Sequence, residues 1–229
     1  MNTRFESLWS YAGGTAAEAV NHRGNGFSEM RLCKFTEREI PELDAGTYFL
    51  KRQKNYQFRT WLVCQRPTLL REKRGMESLA DLSTMFVTPE VVYYSQELAS
   101  KRAILLTRPL QGFLDLQTVW QQQPGGARKK WILQTLAQGL IDMHGSRLCH
   151  GALYPRHVFV ADSQLALIDF EKSRRMPFAR SAALRDVARF LRHAEFLDQG
   201  EMDTLTSPFE ERFSGFTRQL ALYQARKHQ

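Results

Sequence analysis

The chain has few cysteines, no long hydrophobic run and no segment of biased composition. Its three cysteines, among 229 residues, are widely spaced and odd in number, which excludes a disulfide framework and a C-x-x-C metal site. We therefore expect reduced, mostly buried thiols at Cys33, Cys64 and Cys149. Nowhere do about 18 apolar residues run together, as a membrane-spanning helix requires. Residues 1–11 also lack the apolar core of a secretory signal, so we expect a cytoplasmic protein.

Positive charge is in excess, because the net charge is +8. This sign favours an anionic partner such as a nucleotide, a phosphorylated glycolipid, an acidic membrane leaflet or a nucleic acid. Zinc-finger spacings, RNP-like aromatic motifs and basic zippers are missing, so we expect no nucleic-acid partner. The charge and the lack of a spanning helix predict peripheral, salt-sensitive attachment to anionic membrane. Basic side chains that could bind an acidic acceptor or its lipid surface cluster at Lys172, Arg174, Arg175 and Arg180.

The distribution of predicted elements divides the chain into two parts. With 43% hydrophobic and 24% charged residues, the composition is that of an ordinary globular protein, and this length can bury a core as one domain or as a two-lobed unit. Residues 1–108 predict strands around one helix, and residues 109–229 predict mostly helices, which is an α+β order. Pro109 breaks the regular pattern and is a natural hinge between these predicted lobes.

Hydrophobic periodicity and turn signals place the individual elements. Strands are predicted at 27–35, 47–51, 91–95, 102–107, 157–160 and 165–168. Helices are predicted at 67–82, 114–122, 129–145, 182–196 and 208–226. In the first of these helices Glu72, Met76 and Leu79 share one face, which places an acid beside core residues.

A loop in the second half has the pattern of a protein-kinase catalytic loop. Residues 143–157 read MHGSRLCHGALYPRH, and LIDFE follows at 167–171. Kinases carry H-R-D-L-x-x-x-N, with a catalytic Asp and a metal-binding Asn, and then D-F-G with a second metal ligand. Here His150 holds the first position of the loop and Asp169 is retained. Ala152, however, stands at the position of the catalytic Asp.

Other candidate residues lie in the first half. Lys51 ends a predicted apolar strand, where its ammonium group could reach nucleotide phosphates, and Glu72 is a candidate partner that holds it there. A lone strand lysine is more commonly a solvated edge charge, so the assignment depends on the conjunction with Glu72 and the loop. Gly24, Gly26 and Ser28 form a short glycine-rich turn that could cover phosphates, although such turns also occur without ligands.

The predicted metal site is centred on Asp169. Its carboxylate follows a buried strand, and one carboxylate with nucleotide phosphates suffices for partial coordination of Mg²⁺. His157 stands at the second metal position, although neutral imidazole suits softer metals better. A hydrogen bond to a phosphate or to the loop, or a place in the core, are the alternatives for His157. Glu171, which replaces the glycine of D-F-G, is either a substitute carboxylate or points away.

Together these residues resemble the lipopolysaccharide kinase family, the Kdo and heptose kinases of Gram-negative envelopes, and within it the InaA branch. The resemblance covers residues 23–192 and is carried by Arg23 with Asn25-Gly26, by residues 48–52, 66–68, 71–72 and 150–157, and by residues 168–175. It implies a two-lobed protein-kinase-like fold, with a small β-rich N-terminal lobe containing one helix and a trimmed helical C-terminal lobe. It further implies ATP and Mg²⁺ as cofactors, Lys51 and Glu72 as the ion pair, Asp169 as a metal ligand, and a lipopolysaccharide core acceptor at the inner membrane surface.

Ala152 leaves two functions open. The first is an ATP-dependent kinase that phosphorylates a sugar hydroxyl of the lipopolysaccharide inner core, slowed because a general base typically contributes about 10²- to 10⁴-fold. The second is a kinase-like binding or stress-response protein, a pseudokinase without phosphotransfer. Retention of Lys51, Glu72 and Asp169 favours the enzyme, because a scaffold has no physical need of all three.

Overall fold

The computed structural model describes residues 3–18, 20–36, 39–40, 43–59, 64–82 and 85–225. These residues form a mixed α+β protein with seven α-helices and mainly antiparallel sheets. The helices are α1 (Thr3–Ser10), α2 (Thr68–Leu82), α3 (Leu116–Gln121), α4 (Gly126–Gly145), α5 (Ala179–Arg192), α6 (Gln199–Arg212) and α7 (Phe216–Ala225). The strands are β1 (Thr15–Ala16), β2 (Asn21–Arg23), β3 (Gly26–Phe35), β4 (Gly46–Lys54), β5 (Gln57–Arg59), β6 (Gln65–Pro67), β7 (Phe86–Val87), β8 (Val91–Glu97), β9 (Arg102–Thr107), β10 (Leu114–Asp115), β11 (Leu148–Cys149), β12 (Val158–Val160), β13 (Leu165–Leu167) and β14 (Arg174–Arg175).

The chain forms two compact units. The first unit comprises Met1–Lys73 and Pro89–Gln111, and the second comprises Arg74–Thr88 and Gly112–Gln229. Helix α2 begins in the first unit and ends in the second. The sequence-based division placed residues 1–108 in one lobe and 109–229 in the other, and that lobe assignment stays a prediction. Within the described part of the chain, no helix is both long and apolar enough to cross a bilayer.

The first unit is built on an antiparallel sheet in the order β1-β3-β4-β9-β8, with β2 paired to β3. Strands β3 and β4 pair from Phe27 opposite Lys54 to Phe35 opposite Gly46. The side chains of a strand alternate between the two faces of its sheet, and one face of this sheet packs against α1. The buried core on that face includes Phe5, Leu8, Cys33, Phe35, Tyr48, Leu50, Ile104 and Leu106.

The second unit combines a small sheet with a helical core. The sheet has the order β10-β12-β13-β7, in which β13 and β7 are parallel, and two short 3₁₀ turns lie at Pro155–His157 and Phe170–Lys172. Helix α4 packs against α5 and α6, and α5 packs against α7. The apolar stripe predicted on α4 is buried, as expected for a core helix: Ile132, Leu136, Leu140 and Met143.

Several predicted elements of the first unit need correction. The N-terminal region contains α1 as well as α2, so the expectation of one helix there was wrong. The strand predicted at 47–51 runs on to Lys54, which makes Lys51 an interior residue of β4 and not its last one. The segment after it, in which no strand is predicted, contains the paired strands β5 and β6.

In the second unit, helix ends differ from those predicted. The helix expected at 114–122 starts two residues later, because Asp115 is its N-cap and accepts a hydrogen bond from the Thr118 amide at 3.0 Å. The helix expected at 208–226 is the end of α6 followed by the separate helix α7. Helix α6 begins upstream of Pro208 at a capping box formed by Asp198 and Glu201.

Candidate functional site

Strand β4 directs two neighbouring basic side chains to opposite faces of the sheet. Arg52 lies on the same face as the core residues Tyr48 and Leu50, whereas Lys51 and Gln53 lie on the other face. The charged groups on the two faces have different partners. Helix α1 covers the first face, and side chains from the first turns of α2 meet the second.

Lys51 and Glu72 form an ion pair within the first unit. The Lys51 Nζ lies 2.9 Å from Glu72 Oε2, and the two side chains are only 13% and 9% exposed. Glu72 is on the buried face of α2 with Met76 and Leu79, as the sequence periodicity predicted. Partial burial reduces solvent screening, so the carboxylate holds the ammonium group in a defined place.

Gln53 fixes α2 beside this pair, and sequence analysis missed it. The Thr68 hydroxyl donates to Gln53 Oε1 at 2.6 Å, and Gln53 Nε2 donates to Ser28 Oγ at 3.2 Å. Two residues along a strand span about 6.7 Å, and four along a helix span about 6 Å. The spacing of Lys51 and Gln53 along the strand therefore matches that of Glu72 and Thr68 along the helix, so the two contacts form side by side. A polar residue two positions after a candidate strand lysine is the signal that could have found it.

The predicted glycine-rich turn is the tip of a β-hairpin. Gly24 has φ of +56° and joins β2 to β3, with Arg23 paired to Gly26 across the turn. The Asn55 side-chain amide donates to the Asn25 carbonyl at 2.7 Å and ties this tip to the end of β4. Ser28 is not in the turn but in β3, where its hydroxyl accepts from Gln53. The structure thus separates Ser28 from the two glycines.

Arg52 binds the end of α1 on the opposite face. Its guanidinium donates to the carbonyls of Trp9 at 2.5 Å and Tyr11 at 2.9 Å and pairs with the buried Glu29 carboxylate. A cation at a helix C-terminus is favourable because the last carbonyls have no partner within the helix. Burial raises the pKa of Glu29, but hydrogen bonds from Arg31 and Arg52 outweigh burial and hold it below its ordinary value.

In the second unit, Asp186 of α5 organises the kinase-like loop. Its buried carboxylate accepts the backbone amides of His150 at 2.7 Å and Gly151 at 2.8 Å, and it lies 3.1 Å from His144 Nε2. Burial raises the pKa of Asp186, but the hydrogen bond and charge of His144, together with the Gly151 amide, bring it below its ordinary value. Sequence analysis missed Asp186. The signal that could have found it is an acid surrounded by apolar residues of one helix, which are buried in the structure: Ala182, Ala183, Val187, Ala188 and Phe190.

The Cys149 thiol next to the loop is inert. It contacts Asp186 Oδ1 at 3.4 Å. Burial and the Asp186 carboxylate raise the pKa of Cys149 to about 12, so it remains a thiol at neutral pH. Cys33 is also buried, and Cys64 is exposed.

His150 braces the loop against the segment that carries Asp169. Its Nε2 lies 2.9 Å from the Ile168 carbonyl, its ring centre lies 4.4 Å from that of Phe170, and its Nδ1 accepts the Ala152 amide at 3.3 Å. A carbonyl only accepts, so the imidazole is neutral with its proton on Nε2. Burial lowers the pKa of His150, which favours this neutral form.

Gly151 permits the closest backbone approach in the loop. It has φ of +78°, and a Cβ at this position would lie 2.2 Å from the Lys172 carbonyl oxygen. Both the conformation and the contact require glycine. Ala152, which follows it, is 1% exposed, so its methyl group is buried.

Asp169, His157 and Glu171 bring their ligand atoms together. His157 Nδ1 donates to the Ala152 carbonyl at 2.8 Å, and its Nε2 accepts from Arg156 Nε at 3.3 Å and lies 3.5 Å from Asp169 Oδ2. Glu171 places a carboxylate oxygen within 4.8 Å of one from Asp169. Asp169 itself has φ of 63° and ψ of 60°, a left-handed conformation that is uncommon outside glycine and often found at functional sites. These N and O donors could hold a divalent cation.

Helix α2 packs closely against this segment in its second-unit portion. A Cβ on Gly75 would lie 2.6 Å from both the Phe170 Cβ and the Ser173 Oγ, so glycine allows the helix backbone to approach the turn after Asp169. Of the predicted basic cluster, Lys172, Arg174 and Arg175 are exposed. Arg180 is partly buried and donates to the Ser214 carbonyl.

Comparison with known proteins gives two matches. The model of the Lipopolysaccharide kinase (Kdo/WaaP) family matches residues 7–213 of the chain. The Protein InaA of Escherichia coli (strain K12) is 24% identical over 176 residues, which cover 73% of this chain and 77% of that protein. The family match thus includes both the Lys51–Glu72 pair and the loop with Asp169.

Proposed function

The chain belongs to the lipopolysaccharide kinase (Kdo/WaaP) family, and from this premise we propose that it is an ATP-dependent kinase for a sugar hydroxyl of the lipopolysaccharide inner core. The observation that carries the proposal is the Lys51–Glu72 ion pair at 2.9 Å. In protein kinases an equivalent lysine pairs with a helix glutamate when the enzyme is competent for transfer. The proposed fold is accordingly the two-lobed protein-kinase-like one.

Lys51 binds the phosphates of ATP in this proposal, and Glu72 keeps its ammonium group in position. Phosphoryl transfer asks mainly for positioning and for positive charge around the phosphates. The hairpin tip at Gly24 and Gly26 covers the phosphates with its backbone, while Ser28 acts through Gln53. His150 is assigned a positioning role, because its ring bonds to the backbone on both sides of the site.

Asp169 is the proposed metal ligand, supported by Glu171 and His157. Two carboxylates suit Mg²⁺, which prefers oxygen ligands and retains several waters. The His157 nitrogen is a poorer donor for Mg²⁺, because imidazole suits softer metals and this nitrogen accepts from Arg156. A bound divalent cation would neutralise charge on the phosphates. Peripheral contact of a cytoplasmic protein with the inner membrane would give access to the lipid-linked acceptor.

Calorimetry and a transfer assay test this proposal. We expect Mg²⁺ to raise the ATP affinity of the wild-type protein, and Asp169→Asn to remove roughly tenfold or more of that gain, since even outer-shell changes at metal sites cost about 10- to 100-fold. Asp162→Asn, at an exposed acid before the same strand, is the control and should keep the full gain. Radiolabelled γ-phosphate should then appear in purified core oligosaccharide. An Asp169→Asn protein with unchanged Mg²⁺ dependence would show the metal assignment to be wrong.

Binding without phosphotransfer is the second candidate, and Ala152 favours it. The position of the catalytic Asp carries a buried methyl group, with its amide bonded to His150 and its carbonyl to His157. This arrangement preserves the shape of the loop without a general base. A protein of this kind would bind nucleotide or glycolipid and report on envelope assembly.

Ala152→Asp separates the two candidates. In a kinase the new carboxylate should raise phosphoryl transfer, up to the about 10²- to 10⁴-fold that a positioned base contributes. Because Ala152 is 1% exposed, a buried acid also costs stability, so folding is checked by circular dichroism. Ala152→Asn is the matched variant with the same size and no charge, and it should give no gain. A folded Ala152→Asp protein that binds ATP without transferring phosphate would favour the binding protein.

A further inference from the structure

The segment that follows Glu171 has a charge of one sign and an exposed aromatic residue. Residues 172–185 contain five basic residues and no acidic one. Within this segment Arg174 and Arg175 are exposed on β14, and Phe178 is 70% exposed, the largest exposure among the large hydrophobic side chains of the described residues. A single exposed apolar residue is ordinary. A phenylalanine exposed to this degree inside an all-basic segment is a feature that the proposed reaction does not use.

The backbone of this segment is fixed. Strand β14 pairs with β11, with Leu148 opposite Arg175. The Met176 amide donates to the Arg147 carbonyl at 2.8 Å, and the Arg175 guanidinium donates to the Ser146 carbonyl at 3.0 Å. These bonds place the exposed Arg147 next to β14 and add a third cation to the same surface.

Phe178 projects from an equally defined position. It is the N-cap residue of α5 with an extended backbone, φ −128° and ψ 136°. Phe178 follows Arg174 by four positions, which span at most about 14 Å when extended, and this is close to the Debye length of about 10 Å at 0.1 M salt. We name Arg147, Arg174, Arg175 and Phe178 the basic aromatic surface.

We propose that the basic aromatic surface docks the protein on an anionic lipid bilayer, with Phe178 inserted at the headgroup level. Surface cations near acidic lipid each strengthen binding by about fivefold, and aromatic side chains are favoured at membrane interfaces. A soluble phosphorylated ligand would use the cations but gains nothing from an exposed phenyl ring, which is why the bilayer is the better fit. The proposal rests on the proposed function only for the expectation that the protein works at a membrane. Docking itself needs neither bound nucleotide nor phosphoryl transfer.

Vesicle flotation tests the docking directly. The full chain without nucleotide should float with vesicles containing phosphatidylglycerol at 100 mM NaCl, should remain behind with pure phosphatidylcholine, and should detach at 1 M NaCl. Phe178→Ser should weaken binding by about tenfold, since burying a phenyl ring is worth at least that factor. Leu222→Ser, at a leucine that is 52% exposed on α7, is the matched control and should bind like the wild type.

The role of the arginines is tested against a control variant that loses the same number of positive charges elsewhere on the surface. Arg174→Gln with Arg175→Gln should weaken vesicle binding by about 25-fold, at about fivefold for each charge, whereas Lys130→Gln with Arg218→Gln, also at exposed positions, should change it little. Similar losses in both double variants would indicate attraction by net charge alone and would overturn the assignment to this surface.

Fluorescence reports the insertion without relying on affinity. The tryptophan emission of Phe178→Trp, compared with that of the wild type with its four native tryptophans, should shift to the blue on vesicles and be quenched by brominated lipid. The emission of Leu222→Trp should show neither change. Three results would each overturn the proposal. The first is equal fluorescence behaviour of the two variants, and the second is no flotation of the wild type. The third is binding of soluble phosphorylated oligosaccharide through the arginines without vesicle binding. Failure of phosphotransfer would leave these readouts unchanged, so the two hypotheses fail separately.

Discussion

The two units hold their candidate residues by different means. In the first unit, Lys51 forms a side-chain ion pair with Glu72, and neighbouring hydrogen bonds through Gln53 set the helix in place. In the second unit, one buried carboxylate, Asp186, binds backbone amides of the loop itself. In the first unit the candidate functional group is therefore a side chain carried by a strand of the sheet. The second makes the shape of the loop and the stability of the unit depend on the same atoms.

The units also differ in how closely they follow the kinase pattern. The first retains the lysine and its acid, whereas the second keeps Asp169 but has Ala152 in place of the catalytic Asp. The loop makes its backbone hydrogen bonds to Asp186 without a carboxylate at position 152, so its shape does not depend on that side chain.

Asp186→Ala should have the largest effect and tests whether the second unit depends on this carboxylate. Removing it leaves two buried amides and His144 without their acceptor, and breaking a buried charged network costs about 3–5 kcal/mol. Urea unfolding followed by circular dichroism measures the loss. Asp203→Ala, at an exposed position of α6, is the control. A loss below about 1 kcal/mol would show that the loop does not depend on Asp186.

Lys51→Met should lose more in activity than Asp186→Ala does, and less in stability. We expect phosphoryl transfer to fall by at least about 100-fold, equivalent to about 2.7 kcal/mol. The free energy of unfolding should also fall, because the largely buried Glu72 carboxylate loses its cation, but by less than the about 3–5 kcal/mol of a fully buried charged network. Transfer kinetics and urea unfolding are measured on the same protein. Lys54→Met, at the exposed end of the same strand, should retain activity. A large loss of stability in Lys51→Met would remove the contrast between the units.

Acid should destabilise the second unit through His150, with a smaller effect. Burial holds the pKa of His150 below its ordinary value, so the unfolded chain takes up a proton first as pH falls through about 6.5. Stability is then fully present above that pH and is lost below it, by at most about 1.4 kcal/mol for each pH unit. Unfolding free energies between pH 7 and pH 5 should show this slope.

Substitution of His150 isolates that contribution. His150→Gln should flatten the slope between pH 7 and pH 5, whereas His193→Gln, at an exposed histidine after α5, should leave it in place. Below about pH 4 the lowered pKa of Asp186 adds a second loss, because its carboxylate must then be protonated. An unchanged slope in His150→Gln would assign the acid sensitivity to another group.

Sequence analysis located the residues whose roles follow from local spacing. Glu72, Met76 and Leu79 share the buried face of α2 because helical periodicity fixes that face. Gln53 and Asp186 were missed because their importance comes from partners distant in the chain, Thr68 for one and the loop amides for the other. No pattern within either segment specifies which distant group will be met.

Errors in the predicted elements have two origins, one distant and one local. Helix α1 was missed because its place is set by contact with the sheet and by Arg52, far along the chain. Pro208 suggested a helix start, but the capping box at Asp198 and Glu201 begins α6 earlier. That box is a local signal, and it could have been read from the sequence.

Gly151 limits which residues of the kinase pattern the loop can carry. Ala152 has no positive φ, so its backbone conformation accepts an aspartate. An arginine cannot replace Gly151, although kinases carry arginine at that position, because any side chain there would meet the Lys172 carbonyl and an unfavourable φ. The loop can therefore accept a catalytic acid but not the complete H-R-D triplet, unless the segment after Asp169 moves away.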